Sequence, residues 1–179
     1  MAQSIGVVCC YSPEANDTNK QYWDFVIRRC NKGHFDILFL SGGFTRGKSM
    51  PNVSEAAAAC EYIRPRLKSE VHIIGEEDSY TTWDNLQNVA ARAKESKLIS
   101  PDNSFTFFCH TSKKFLIEKL AVYFFGRDIS ILVESTYWKM GLIDNVLQPI
   151  VTLGMLSARR WPSIADTWRR IQMSRYAKM

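Results

Sequence analysis

The stretch Glu76-Glu77-Asp78-Ser79-Tyr80-Thr81-Thr82-Trp83-Asp84-Asn85 sets Glu76, Ser79, Thr82 and Asn85 at three-residue intervals. It follows an apolar run, Val71 to Gly75, and leads into a long helical pattern, so it reads as a strand handing over to a helix. In an open α/β sheet that junction presents backbone N–H groups to a ligand. Two earlier segments, Ser41-Gly42-Gly43 and Ser54-Glu55-Ala56, stand at junctions of the same kind. Bare glycine backbone lets a ligand approach closely. Together these residues predict a mixed site, with hydroxyl and amide donors for an anionic group.

The carboxylates narrow the ligand. A fixed carboxylate repels a bound phosphate, so Glu55 and Glu76 suit sugar hydroxyls, an amine or another cation. A nucleotide-like or sugar-phosphate ligand combines both demands, and an adenosyl compound such as S-adenosylmethionine fits the same donor set. The reaction class to expect is transfer or hydrolysis at phosphate, with Glu55, Glu76 or His110 as the base. His110 belongs with them because it ends an apolar run and faces the same crevice. Each residue also has an ordinary use. Ser54 and Thr82 can cap helices, worth about 1 kcal/mol each, Glu55 complements a helix dipole, and Gly42-Gly43 can be a tight turn. One capping residue starts a helix, however, and three polar residues at regular spacing exceed that need.

A second reading uses Gly42-x-x-x-x-Gly47-Lys48-Ser49, which matches the P-loop pattern and follows a strand. That pattern requires a helix starting at Gly-Lys-Ser. Met50-Pro51-Asn52 follows instead, and the capping signal comes at Ser54. In the favoured reading Arg46 and Lys48 form a basic lip that attracts anionic ligands.

The elements that position these residues alternate. Apolar runs at Ile5–Tyr11 and Phe35–Leu40 read as buried strands, and Val71–Gly75, Phe105–Cys109 and Ile129–Val133 as three further strands. Between them lie helical patterns: one capped by Asp17 or Thr18, one opened by Ser54 and stopped at Pro65, one capped by Thr81 or Thr82, and one from Ser112 to Phe125. Such alternation predicts one α/β domain, a five-stranded, mainly parallel Rossmann-like sheet flanked by helices. From Gly141 onward, two more helices broken near Trp161-Pro162 make a C-terminal extension.

Ser41-Gly42-Gly43, Ser54-Glu55-Ala56 and Glu76-x-x-Ser79-x-x-Thr82-x-Asp84-Asn85, in that order, resemble the motifs of the YdcF-like (SanA/ElyC) family. The resemblance covers roughly residues 36–125 and implies a Rossmann-like domain with its pocket at the strand C-terminal ends. Asp84 stands where the family usually has Glu. After the fourth strand the family places a His and then an Arg on the next helix; here Lys113 and Leu116 hold those places, or His110 substitutes from a shifted position.

The chain has 179 residues, 46% hydrophobic and 12% aromatic, enough for a full core. Five cysteines without a Cys-x-x-Cys pair argue against a disulfide framework or zinc site, and no other spacing specifies a metal. No cofactor is specified. No apolar run reaches the roughly 20 residues of a membrane helix, and the start has no signal-peptide pattern, so a cytoplasmic protein is expected. From Met155 onward six basic residues face Asp166 alone, a net +5 equal to that of the whole chain. A general nucleic-acid surface is therefore not expected; a basic C-terminal helix is. Its face of Trp161, Ile164, Trp168 and Ile171 should pack on the domain or on another subunit, with Arg169 and Arg170 pointing elsewhere. A non-catalytic protein that docks through this tail is the third reading.

Overall fold

The structure, a computed structural model, describes residues 2–33, 35–44, 52–137 and 142–177, with side chains in the last range described from 149 to 174. Five strands, β1 (Ser4–Cys9), β2 (Ile37–Ser41), β3 (His72–Glu76), β4 (Ser104–His110) and β5 (Ser130–Thr136), form one sheet in the order β3-β2-β1-β4-β5. All four pairings are parallel. The expected α/β, Rossmann-like class is the observed one, and the sheet is wholly rather than mainly parallel. Helices α1 (Asp17–Lys32), α2 (Glu55–Ile63), α3 (Thr82–Glu95) and α4 (Lys114–Phe125) connect the strands. Two more, α5 (Leu142–Ser157) and α6 (Pro162–Ala177), follow β5.

Strands β1, β2 and β4 are buried on both faces, the edge strands β3 and β5 only in part, and the two-residue period sorts the core into two layers. Ile5, Val7, Cys9, Phe39, Phe105, Phe107 and Cys109 pack against α3, α4 and the inner side of α5–α6. Val8, Cys10, Leu38, Leu40 and Phe108 pack against α1 and α2. Tyr22 of α1 ties the central strands together, its hydroxyl donating to the carbonyls of Phe108 (2.7 Å) and Cys9 (3.2 Å).

Boundaries follow the caps. Asn16, rather than Asp17 or Thr18, caps α1 by accepting from Asn19 N. Pro65 lies in a 3-10 turn, Arg64–Arg66, that ends the α2 segment. Another 3-10 turn, Thr111–Lys113, precedes α4, which therefore starts two residues after the expected Ser112. In α6, Pro162 takes the first helical position, where its missing N–H is harmless. Ile164 and Trp168 pack inward, whereas Trp161 and Ile171 are exposed, so only half of the expected face is covered.

Candidate functional site

The C-terminal ends of all five strands lie on one rim. The order of connections reverses between β1 and β4, where open α/β sheets leave a crevice. Around the end of β1 the two helical layers meet.

Glu76, at the end of β3, is fully buried. One carboxylate oxygen accepts from the hydroxyls of Ser41 and Ser79, the latter at 2.5 Å. The other accepts from Asp78 N at 2.8 Å and Asn88 Nδ2 at 3.1 Å. Asn88 Nδ2 also reaches Ser79 Oγ at 3.1 Å. This carboxylate therefore joins the ends of β2 and β3, the following loop and α3, and four donors of the chain engage it. Ser41 and Ser79 are bound into the same network, and their hydroxyl protons point at Glu76.

Gly42 and Gly43 are constrained by the chain itself. A Cβ on Gly42 would come within 2.5 Å of Glu55 Oε2, and one on Gly43 within 2.5 Å of the Ser79 carbonyl. Their N–H groups donate to the carbonyls of Glu76 and Ser79, at 2.9 and 2.8 Å. Their own carbonyls accept from Ala56 N and Glu55 N, both at 3.0 Å. Ser54 caps α2, accepting from Ala57 N at 2.9 Å. The amides of Glu55, Ala56 and Ala57 at the start of α2 are thus all engaged, which corrects the expectation that this junction offers free donors. The helix after β2 starts at Glu55, and the N–H groups of Gly42 and Gly43, which would head a P-loop cradle, are both occupied. Gly47, Lys48 and Ser49, with Arg46, lie outside the described residues.

At α3 the cap is Thr81, whose hydroxyl accepts from Asp84 N at 3.1 Å; Thr82 is the first helical residue, half-buried. Asn85, one turn into α3, is buried and hydrogen-bonded to the Cys9 side chain. Burial pushes the Cys9 thiol up to about 12, against the opposing pull of the Lys113 ammonium and of Asn85, while Glu76 and Glu55 push further in the same direction. Glu55 from α2, Glu76 from β3, Asn85 from α3 and Lys113 after β4 thus all bear on the Cys9 thiol. Glu55 is itself nine-tenths or more buried. Lys113 Nζ sits 4.4 Å from the centre of the Tyr11 ring, beyond the end of β1. No protein family, curated protein or solved structure matches this chain.

His110 ends β4 as expected and is buried. Its Nδ1 accepts from Ser112 N at 3.1 Å and lies 2.7 Å from Ser112 Oγ, so the ring caps the 3-10 turn. A neutral imidazole that accepts at Nδ1 carries its proton on Nε2 and offers a donor there.

Four contributors were not among the expected site residues. Asn88 continues the three-residue spacing of Thr82 and Asn85 by one more step, a signal present in the text. Tyr11 and Lys113 meet across the sheet. Asp84, 1% exposed at its residue surface, accepts from Tyr80 N at 3.1 Å and from Arg169 Nε at 3.0 Å and Nη2 at 2.5 Å. Arg169, expected to point away, instead ties α6 to the start of α3, and the Asp84 carboxylate raises its pKa further. Among the described residues no cluster of three His, Cys, Asp or Glu side chains would hold a metal ion. An open depression of about 640 Å³ lies at the other end of the sheet, lined by Asp36, Arg64, Glu70 and His72. It is remote from the strand C-termini and holds none of the residues above.

Proposed function

We propose that the chain binds a nucleotide-like or sugar-phosphate ligand at the rim between the ends of β1 and β4. The observation that carries this reading is that the segments bearing Glu55, Asn85 and Lys113 all begin at the strand C-terminal rim, where each of the three groups bears on the Cys9 thiol. Lys113 supplies the cation for a phosphate, Asn85 supplies a donor, and Glu55 takes a ligand hydroxyl or amine. Glu76, Ser41 and Ser79 hold the frame around them. Gly42, Gly43 and Ser54 set the start of α2 and so the place of Glu55. Thr82 lies on the first turn of α3, beside the Asn85 side of the pocket. The reaction class this set supports is transfer or hydrolysis at phosphate. There Glu55 would accept the proton of the attacking hydroxyl or water. The YdcF-like resemblance points to the same rim.

The test combines native mass spectrometry of freshly purified protein with a thermal-shift screen of nucleotides, sugar phosphates and S-adenosylmethionine. A ligand at about a hundred times its dissociation constant should stabilise the fold by about 2.7 kcal/mol, or roughly 5–10 °C for a domain of this size. Glu55→Gln and Asn85→Ala should keep the ligand-free melting temperature within a few degrees, by the ordinary tolerance of such swaps (about 1 kcal/mol), and lose the shift. An unchanged shift in both variants refutes the site.

A further inference from the structure

The outer face of the C-terminal hairpin is apolar, exposed and flanked by arginines. Ile150, Leu153, Ser157 and Trp161 succeed one another by three, four and four residues, and Trp161 N bonds to the Ser157 carbonyl at 3.1 Å, so the helical progression carries through the turn. At 3.6 residues per turn these four share one stripe. Ile150 is 65% exposed, Leu153 68% and Trp161 56%. Residues 149–157 include no charged side chain, whereas Arg159 and Arg160 at the turn and Arg170 on α6 are exposed. Arg159 lies 5.2 Å from the Tyr123 ring centre and Arg160 5.8 Å from that of Trp161, so the cations border the ridge directly.

We infer that this ridge docks on an anionic lipid surface, with Ile150, Leu153 and Trp161 entering the headgroup boundary and the arginines meeting lipid phosphates. Charge decides the occupant. A second copy would meet this face with its own arginines, because a two-fold interface uses the same patch on both partners. From Met155 onward the acidic complement is Asp166 alone, and it already pairs with Arg169 at 3.8 Å. An amphipathic ridge with tryptophan at its end and arginines at its margin matches helices that lie in a membrane interface. No described helix is long and apolar enough to cross a membrane, so the contact is peripheral. Arg169, held by Asp84, keeps the hairpin fixed on the domain and is not one of the lipid contacts.

The experiment is co-sedimentation of the full chain with phosphatidylcholine vesicles, with and without phosphatidylglycerol, at low and high salt. Binding should require the anionic lipid and weaken with salt. Each arginine removed should weaken it about five-fold, so R159Q/R160Q should lose about twenty-five-fold. Leu153→Ser should lose about tenfold or more. These side chains are exposed, and an unchanged melting temperature verifies that the variants fold. Absence of binding to phosphatidylglycerol vesicles overturns the inference, as does binding that the double variant leaves intact. A solution dimer dissociated by Leu153→Ser assigns the ridge to a second copy instead. Binding to polyglutamate without binding to vesicles assigns it to an acidic protein.

Discussion

Replacing Glu76 separates a carboxylate that holds the frame from one that serves a ligand. Its two oxygens have different partners: two hydroxyls at one, and two N–H donors, Asp78 N and Asn88 Nδ2, at the other. In Glu76→Gln the amide oxygen can face the N–H donors while the amide nitrogen faces Ser41 and Ser79. Those hydroxyls rotate and accept, so every contact survives in neutral form. The loss is the charge-assisted part, about 1–2 kcal/mol in all, because hydrogen bonds to charged groups (about 1.5–3 kcal/mol) exceed neutral ones (about 0.5–1.5) and burying no charge offsets some of the difference. Glu76→Ala instead leaves four buried donors without an acceptor beside a new void. Even after relaxation that should cost about 4–5 kcal/mol, near the whole stability of a marginal domain. Urea denaturation of the two variants gives both numbers. Ligand titration completes the comparison: Glu76→Gln should retain affinity while Glu55→Gln loses it. Equal destabilisation by Gln and Ala would refute the network. Loss of binding in a stable Glu76→Gln protein would return Glu76 to the ligand.

Removing Arg169 leaves the buried Asp84 carboxylate with the Tyr80 amide as its remaining side-chain-independent partner. Because the Arg169 side chain is 36% exposed, Arg169→Gln should cost about 2 kcal/mol, below the roughly 3–5 of a fully buried pair. A double-mutant cycle with Asp84→Asn should recover most of it, and additive losses would show that the pair is uncoupled. High pH should also weaken the fold. Burial pushes the thiols of Cys9 and Cys30 up to about 12 and raises those of Cys10 and Cys109 as well. The unfolded chain therefore ionises first, and stability is intact below the ordinary thiol pKa and declines from there toward about 12. One pH unit above that ordinary value each thiol removes about 1.4 kcal/mol, roughly 6 kcal/mol for the four. Urea midpoints that agree between pH 8 and pH about 10 would contradict the burial assigned to these cysteines.

The central strands were legible because both faces are buried, which writes them as unbroken apolar runs such as Ile37 to Leu40. Strand ends moved by one to three residues because hydrogen bonding, not hydropathy, decides where pairing stops. Ser41 and Glu76, both polar, are the last paired residues of β2 and β3. The polar rim was legible as a location, since strand-to-helix junctions are marked by Gly, Ser and Thr in the text. What each rim residue faces was not. Glu55 and Glu76 read alike, and only the fold shows that one meets four donors of its own chain. The start of α2 read as an open set of amides because nothing local announces that the Gly42 and Gly43 carbonyls fold back over it. Arg169 and Asp84 are 85 positions apart, and an ion pair at that distance leaves no spacing to find.

The location of the proposed site rests on two adjacent residues. Cys9 and Cys10 point to opposite faces of the sheet, as consecutive strand residues must. Cys9 enters the layer of α3 and α4 and touches Asn85, while Cys10 enters the layer of α1 and α2, where Glu55 bears on it. Along the interior of β1 the sheet separates these layers. Past its end Tyr11 spans toward β4, its hydroxyl accepting from His110 N at 2.9 Å and its ring meeting Lys113 Nζ at 4.4 Å, so in the proposed site groups from both layers border one place. Strands β2 and β3 lack this property, because Glu76 and its four donors close the space beyond them. Between β1 and β4 the change in winding direction parts the two connections, and the contact of Lys113 with Tyr11 spans them. A ligand that bridges Glu55 and Asn85 must therefore cross the end of β1. Gly42→Ala, just past β2, should abolish the ligand-induced thermal shift, because the added methyl carbon would meet the Glu55 carboxylate at 2.5 Å, Glu55 Cβ at 2.8 Å and Cys10 Cβ at 2.9 Å and drive Glu55 from its place.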